Sequence, residues 1–461
     1  MVASRPLTQT ALAPSLSPAR AVAAVVLVRV WEDGAFASAA LDAELYRASR
    51  SGLDPRDAAL ATELVYGVLR VESYLDDRVA SLAARKSWAQ ASRVRAHVLL
   101  GAYSICFLDR VPVFAAVSEA VAGARLDGSE RVGGFVNAVL RKLATEVEER
   151  RPALADAVLV SAPGWLRGAL RRSLGRSGAA AFLAAGPVPP PIGLCLARGE
   201  DREAWIARLT EAAPGATIEA GQVSPRAILV RGAGDVRRLP GAGEAWIIQE
   251  EGAQVVALAA GARPGERVLD ACAGHGNKTW LLAEEVGEGS VDAADLHAGK
   301  IAELGAGPAG SRVRETFVVD WTAGAGDVPE GYDRVIVDAP CSGVGTLRRR
   351  PEIGLRREAA DLERLATLQA AITRSAATRV KDGGRLVYAV CSVLREEGED
   401  VVQRLATGAP NGLRLEPAPF DGEIARALIG EPAAAGTAVL RILPHAQGTD
   451  GYFMASFVVR R

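Results

Sequence analysis

Five short apolar runs recur between residues 267 and 391, each followed by a turn and, for most, a helix-like stretch. They are RVLDAC (267–272), SVDAADL (290–296), ETFVVD (315–320), DRVIVDAP (333–340) and RLVYAVC (385–391). No other feature restricts the fold as much. Parallel strands need a long crossover connection, which a helix supplies. Strands covered on both faces read as continuous apolar runs, not as an alternation. The sequence therefore predicts an α/β sheet with helices on both faces over residues 240–461, ending in an antiparallel strand at GYFMASFVVRR. In such sheets ligands sit outside the carboxyl ends of the parallel strands, so the residues that end these runs are the first functional candidates.

The rest of the chain has a different rhythm. From residue 21 to about 148, apolar residues return every three or four positions, as in ARAVAAVVLVRVW, DAALATELVYGVLRVESYLDDRVASLA and SRVRAHVLLGAYSICFL, which predicts an all-helical bundle. Asp54-Pro55 supplies a cap followed by proline at the first helical position. Residues 149–239 mix a short helix ending on glycine (GWLRGALRRSLG), a stiff break (GPVPPPIG) and strands such as IGLCLAR and AILVRG, and predict a small α+β connector. Residues 1–20 are expected to be a disordered tail. A length of 461 residues exceeds one compact core.

Composition narrows the function classes. The formal net charge is -1, so nucleic-acid binding must come from local patches. Five cysteines without regular spacing oppose a disulfide framework and suit a reducing cytoplasm. With four histidines and no CxxC pair, no metal site is expected. No apolar run is long enough for a membrane span.

Chemistry gathers at the strand ends. RVLDACAGHGNKTW (267–280) turns from the first strand into a helix, with Gly274 and Gly276 opening the backbone to a ligand. It has neither phosphate-loop nor GxGxxG spacing. Asp295, Asp320 and Asp338 each close one of the next three runs. A lone acid there reads as a helix cap. Three in register beside a glycine turn point to a nucleoside-containing cofactor without a required pyrophosphate. Cys341 follows the fourth run and Cys391 ends the fifth, so neighbouring strands bring two thiols to one crevice. One such cysteine is more often inert packing, and a redox pair would usually be CxxC. Two beside Asp338 favour nucleophilic chemistry on an electron-poor ring.

These motifs, DACAGHGNKT, DAPCSGVGTLRRRPEI and YAVCS, resemble the hallmarks of the RNA 5-methylcytosine methyltransferases, which use S-adenosylmethionine. IIQEEGAQ and DGYFMASF extend the match. DAALATELVYGVLR, RVPVFAAVSEAV and GGFVNAVLRK resemble the NusB-like RNA-binding domain fused to the RsmB (Sun/Fmu) type, whose substrate is ribosomal RNA. The resemblance covers nearly the whole chain. It implies a NusB-like bundle, a connector and a Rossmann-like methyltransferase domain acting on small-subunit ribosomal RNA.

By the same resemblance, Cys391 adds to carbon 6 of cytosine, Cys341 assists loss of the carbon 5 proton, and Asp338 and Lys278 complete the catalytic set. Cys272, Ala273, Gly274, His275, Gly276, Asn277 and Lys278, with Asp295, Asp320 and Asp338, line the cofactor site. The loop departs from the family pattern: His275 replaces a proline, and Asn277 stands where the family has glycine, a residue tolerant of positive φ. Val390 and Glu250 replace a common threonine and aspartate. Arg348, Arg349, Arg350, Arg356 and Arg357 form a basic run after Cys341, expected to contact RNA phosphates. The expected partner is RNA alone, for a monomer with no membrane or metal. Two other readings stay open: a noncatalytic RNA-binding assembly factor with a decayed methyltransferase domain, and a cytosine methyltransferase acting on transfer RNA.

Overall fold

The computed structural model describes residues 16–83, 91–407, 412–420 and 437–461, so residues 1–15 of the expected tail lie outside the described residues. The chain divides into two compact units. The first runs to Pro163 and takes in Arg350–Glu352; the second comprises Gly164–Arg349 and Ile353–Arg461.

The described residues of the first unit form the helices α1 (Pro18–Glu32), α2 (Ala37–Ser49), α3 (Pro55–Arg70), α4 (Glu72–Leu82), α5 (Ser92–Phe107), α6 (Val113–Leu126), α7 (Glu130–Glu149) and α8 (Leu154–Ser161). The Asp54 carboxylate accepts the Arg56 N–H at 2.7 Å, and Pro55 starts α3 as expected. The apolar stripe Ala61, Leu64, Val65, Val68 and Leu69 buries one face of that helix. The continuous helical pattern over 57–83 is broken at Val71 (φ -121, ψ 24), which is itself fully buried. Helices continue past residue 148, to Ser161.

The second unit opens with α9 (Gly164–Ala184), interrupted where Gly175 takes φ 72 and ψ 176. A small antiparallel sheet follows, built from β1 (Ile192–Leu196), β2 (Thr217–Ala220), β3 (Ala227–Arg231) and β4 (Trp246–Ile248), with α10 (Arg202–Ala212) between β1 and β2. Its order is β2-β3-β1-β4, and Leu194, Leu196, Trp205, Leu209, Ile228, Val230 and Trp246 share its core. The expected connector boundary at 239/240 falls inside this sheet, because β4 pairs with β1.

Next come α11 (Glu251–Ala259), β5 (Arg267–Asp270), α12 (Asn277–Val286), β6 (Ser290–Asp295), α13 (Ala298–Ala306), β7 (Val313–Val318) and β8 (Tyr332–Asp338). The chain then runs through α14 (Ile353–Arg356), α15 (Ala359–Ala377), β9 (Val380–Val390), α16 (Glu399–Ala406), β10 (Arg414–Pro417), β11 (Val439–Ile442), α17 (Pro444–Gln447) and β12 (Tyr452–Arg460). The large sheet has the order β10-β12-β9-β8-β5-β6-β7, with β11 also on β12. Strands β5 to β9 are mutually parallel and β12 is antiparallel to β9. Val268, Ile336 and Val387 face one core layer, while Leu269, Val337 and Tyr388 face the other. Side chains alternate between faces, so the apolar runs are continuous because both faces are covered. Among the described residues, no helix is long and apolar enough to cross a membrane.

Candidate active site

Chain order reverses beside β5: β6 and β7 lie on one side of it, β8 and β9 on the other. Such a reversal opens a crevice at the carboxyl ends of the strands. Three segments enter it. One is the turn after β5. The second leaves β8 at Asp338 and reaches Cys341. The third leaves β9 directly into Cys391. Register enforces the meeting, since Asp338 pairs with Ala389 and the Ala339 N–H donates to the Ala389 carbonyl at 2.9 Å.

The two half-buried thiols lie with Sγ atoms 3.2 Å apart. Their hydrogen bond, aided by burial, holds Cys341 well above the ordinary thiol range. Cys341 is therefore the thiol whose surroundings favour keeping its proton. Lys278 Nζ sits 2.5 Å from Asp338 Oδ2. Burial opposes the Lys278 charge, but the charge and hydrogen bond of Asp338, with Asp270, outweigh it and raise its pKa. Asp338 is thus the main partner of the ammonium, and Cys391 adds a smaller attraction to it.

The turn after β5 places its positive φ values on Gly274 (57) and Gly276 (87). Asn277 instead begins α12, and its amide donates to the Ile248 carbonyl at 3.5 Å, so tolerance of positive φ is not what this position uses. His275, exposed, lies 2.8 Å from Glu303. The Ala273 N–H donates to the Ala294 carbonyl at 2.9 Å, tying the turn to β6. Burial, then Asp270 and Asp338, raise the Cys272 thiol well above its usual range.

Asp295 ends β6 almost buried, accepting the N–H of Gly274 at 3.0 Å and of His297 at 2.9 Å. A carboxylate has about four acceptor positions, so two remain for ribose hydroxyls. No atom would meet a Cβ on Gly274 within 4 Å, so that part of the turn borders open space. These features fit a nucleoside-bearing sulfonium. Asp320 does not share them: it is exposed, two residues beyond β7, and its carboxyl is held low by the Thr322 hydroxyl and N–H.

The basic run divides. The Arg348 side chain is only 8% exposed; Nε donates to Asp450 Oδ1 at 2.8 Å and Nη1 to the Gly448 carbonyl at 2.7 Å. Arg349 reaches the other Asp450 oxygen at 3.0 Å and the Pro191 carbonyl at 2.9 Å. Their expected place on an RNA-facing surface is corrected here: both guanidinium groups neutralise a buried acid. Arg350 is exposed and groups with the first unit, and Arg356 and Arg357 are half-buried.

Two groups, Asp270 and Glu397, escaped the sequence reading, and a third, Glu250, was read there only as a replacement for aspartate. Asp270 accepts the Thr279 hydroxyl at 2.8 Å, and burial, opposed by Thr279 and Lys278, pushes it up to about 6. Its position at the end of RVLD was an available signal. Glu250 accepts the Asp450 N–H at 2.8 Å and the Ala253 N–H at 3.0 Å; burial and then Asp450 push it up to about 7. Glu397, wholly buried, receives the Ser342 N–H at 2.6 Å and the Ser342 hydroxyl at 2.5 Å. Nothing local marks Glu397 within REEGED.

A sequence profile of the family described as 16S rRNA methyltransferase RsmB/F matches residues 256–458, and one of the NusB family matches residues 17–145. Ribosomal RNA small subunit methyltransferase B of Pseudomonas putida is 33% identical over 96% of this chain and 98% of its own length. The probable ribosomal RNA small subunit methyltransferase B of Bacillus subtilis is 31% identical over 95% and 98%. Among solved structures, that of PH0851 has a TM-score of 0.75 at 22% identity, covering 98% of this chain and 100% of that one. NSun6 from Pyrococcus horikoshii with SFG has a TM-score of 0.52 at 18% identity, covering 64% and 98%.

Proposed function

Because this chain belongs to the 16S rRNA methyltransferase RsmB/F family, we propose that it methylates carbon 5 of a cytosine in small-subunit ribosomal RNA through a covalent cysteine–cytosine adduct. The observation that carries this reading is the pair of thiols 3.2 Å apart at adjacent strand ends, beside the Lys278–Asp338 pair. The enzyme depends on S-adenosylmethionine, which supplies an electrophilic methyl group on a sulfonium. The turn Cys272–Lys278 together with Asp295 and Asp338 would hold it; Asp320, exposed and turned onto Thr322, would contribute at most from the rim. A cytoplasmic setting keeps both thiols reduced.

Carbon 5 of cytosine is too weak a nucleophile to take a methyl group unaided. Addition of the Cys391 thiolate to carbon 6 converts the ring into an enamine-like nucleophile. Asp338, its Oδ2 held by Lys278, hydrogen-bonds the cytosine edge and stabilises the ring during attack. While Cys391 is anionic, its partner's proton is retained. Once Cys391 is spent in the carbon–sulfur bond, its hydrogen bond and charge no longer hold the Cys341 proton, which passes to solvent and leaves a thiolate. Cys341 then accepts the carbon 5 proton, the electron pair of that bond restores the ring double bond, and Cys391 leaves as thiolate. The target base must leave its stack to reach both thiols, which favours a loop or bulge as substrate.

The test separates the two thiols. Cys391→Ala is expected to abolish methylation and adduct alike. Cys341→Ala is expected to accumulate a protein–RNA adduct that survives denaturing electrophoresis. Adduct in the first variant and none in the second would reverse the roles. Normal methylation in both would end the paired-thiol reading. Bisulfite sequencing of ribosomal RNA from a deletion strain identifies the base.

A further inference from the structure

Glu397 grips Ser342, the residue that follows Cys341. It is wholly buried, yet among the described residues no cation pairs with it; its carboxylate accepts three hydrogen bonds, from the Ser342 N–H and hydroxyl and the Gln369 amide, and its backbone carbonyl a fourth from Tyr388. Its Oε1 accepts the Ser342 N–H at 2.6 Å and the Gln369 amide at 3.0 Å. Its Oε2 accepts the Ser342 hydroxyl at 2.5 Å, and its backbone carbonyl accepts the Tyr388 hydroxyl at 2.5 Å. Gln369, on α15, also donates to the Pro340 carbonyl at 3.0 Å. The residues on both sides of Cys341 are thereby clamped, Pro340 by Gln369 and Ser342 by Glu397.

The two cysteines differ in what else supports them. Cys391 immediately follows the last residue of β9, and its carbonyl accepts the Gly345 N–H at 3.0 Å. Val390 before it is in register with Phe453 on β12. Cys391 is thus fixed by the sheet. Cys341 lies three residues beyond β8, in a loop with no ladder of its own. Leaving a buried carboxylate without a cation is costly, and a hydrophobic residue would fill the same space at less cost. An acceptor-only side chain that grips both the N–H and the hydroxyl of Ser342 has a use if the Cys341 loop must be held in one position.

We propose that Glu397 is a positioning residue that places Cys341 for release of the methylated base, an inference that rests on the paired-thiol reading above. Glu397→Asp keeps the charge and shortens the reach by one methylene. A misplacement of ~1 Å at a reacting group costs ~100-fold in rate. Because Cys391 keeps its strand support, attack on the base continues and release fails. Glu397→Asp is therefore expected to accumulate the same denaturation-resistant adduct as Cys341→Ala. Glu397→Gln, which preserves length and can satisfy both Ser342 contacts, is expected to restore most of the lost turnover.

The full-length variants are compared with a ribosomal RNA substrate and S-adenosylmethionine, recording the ratio of trapped adduct to released product together with the melting temperature. A role confined to stability lowers melting and scales adduct and product together, leaving that ratio unchanged. An unchanged ratio in folded Glu397→Asp, beside a clear trap in Cys341→Ala, overturns the inference alone. No trap in Cys341→Ala overturns the mechanism and this inference with it. If Glu397→Asp does not fold, Ser342→Ala, which removes only the hydroxyl contact, decides: a raised ratio supports the placement and a wild-type ratio ends it.

Discussion

Arg348→Ala tests whether the basic run after Cys341 serves the fold or the RNA. Arg348 and Asp450 side chains are 8% and 3% exposed, with Nε and Oδ1 2.8 Å apart. Breaking a buried ion pair by removing one partner costs ~3–5 kcal/mol, because the other charge stays buried. Arg349 still reaches Asp450 at 3.0 Å, so the loss is expected near the lower end, ~3 kcal/mol. An exposed arginine would give ~0.5 kcal/mol or less. At roughly 2 °C per kcal/mol for a large unit, the melting temperature falls by ~6 °C. Calorimetry of the full chain measures this, and RNA titrations over a salt series, at a temperature where the variant is folded, measure the other possibility. Each lost phosphate contact reduces the slope of log affinity against log salt by ~1. Arg348→Ala should leave that slope unchanged, whereas the same change at exposed Arg350 should reduce it. A melting temperature within ~1 °C of wild type, together with a reduced slope, would refute the assignment of Arg348 to the fold.

Three further outcomes follow from the site. The folded state binds the Glu250 proton more tightly than the unfolded chain, since burial and Asp450 lift its pKa from 4.5 to about 7. Its contribution to stability is complete below ~4.5 and is lost as pH rises through about 7. Glu250→Gln should flatten the fall in denaturation midpoint across that interval; an unaltered profile removes Glu250 as its source. Asp295→Ala should weaken S-adenosylmethionine binding by ~1–3 kcal/mol, the cost of unpaired polar partners, and unchanged affinity by titration calorimetry removes Asp295 from the site. A Cβ on Gly345 would lie 1.9 Å from the Gly451 carbonyl and 3.0 Å from that of Cys391. Gly345→Ala should therefore destabilise by ~1–3 kcal/mol by overpacking, and a wild-type urea midpoint would show that the contact relaxes freely.

What the sequence determined by itself is what local periodicity and strand position encode. The runs beginning at Arg267, Ser290 and Arg385 are strands because continuous apolar stretches demand cover on both faces. Asp295, Asp338 and Cys391 stand at or just past strand ends because a turn must follow an apolar run there. With the parallel order implied, the meeting of Cys341 and Cys391 was legible before any coordinate. Tertiary structure alone decided which charges reach solvent. Arg348 and Arg349 look like a solvated face until Asp450, about a hundred residues away, folds against them. Asp320 resembles Asp295 in the sequence but stays exposed, because β7 forms the edge of the sheet. The small sheet recruits Trp246–Ile248 through pairing with β1, a long-range contact without a local mark. The grip of Glu397 on Ser342 spans 55 residues. Burial and hydrogen-bond partnership are properties of the packed chain, and a residue's neighbours in sequence do not specify them.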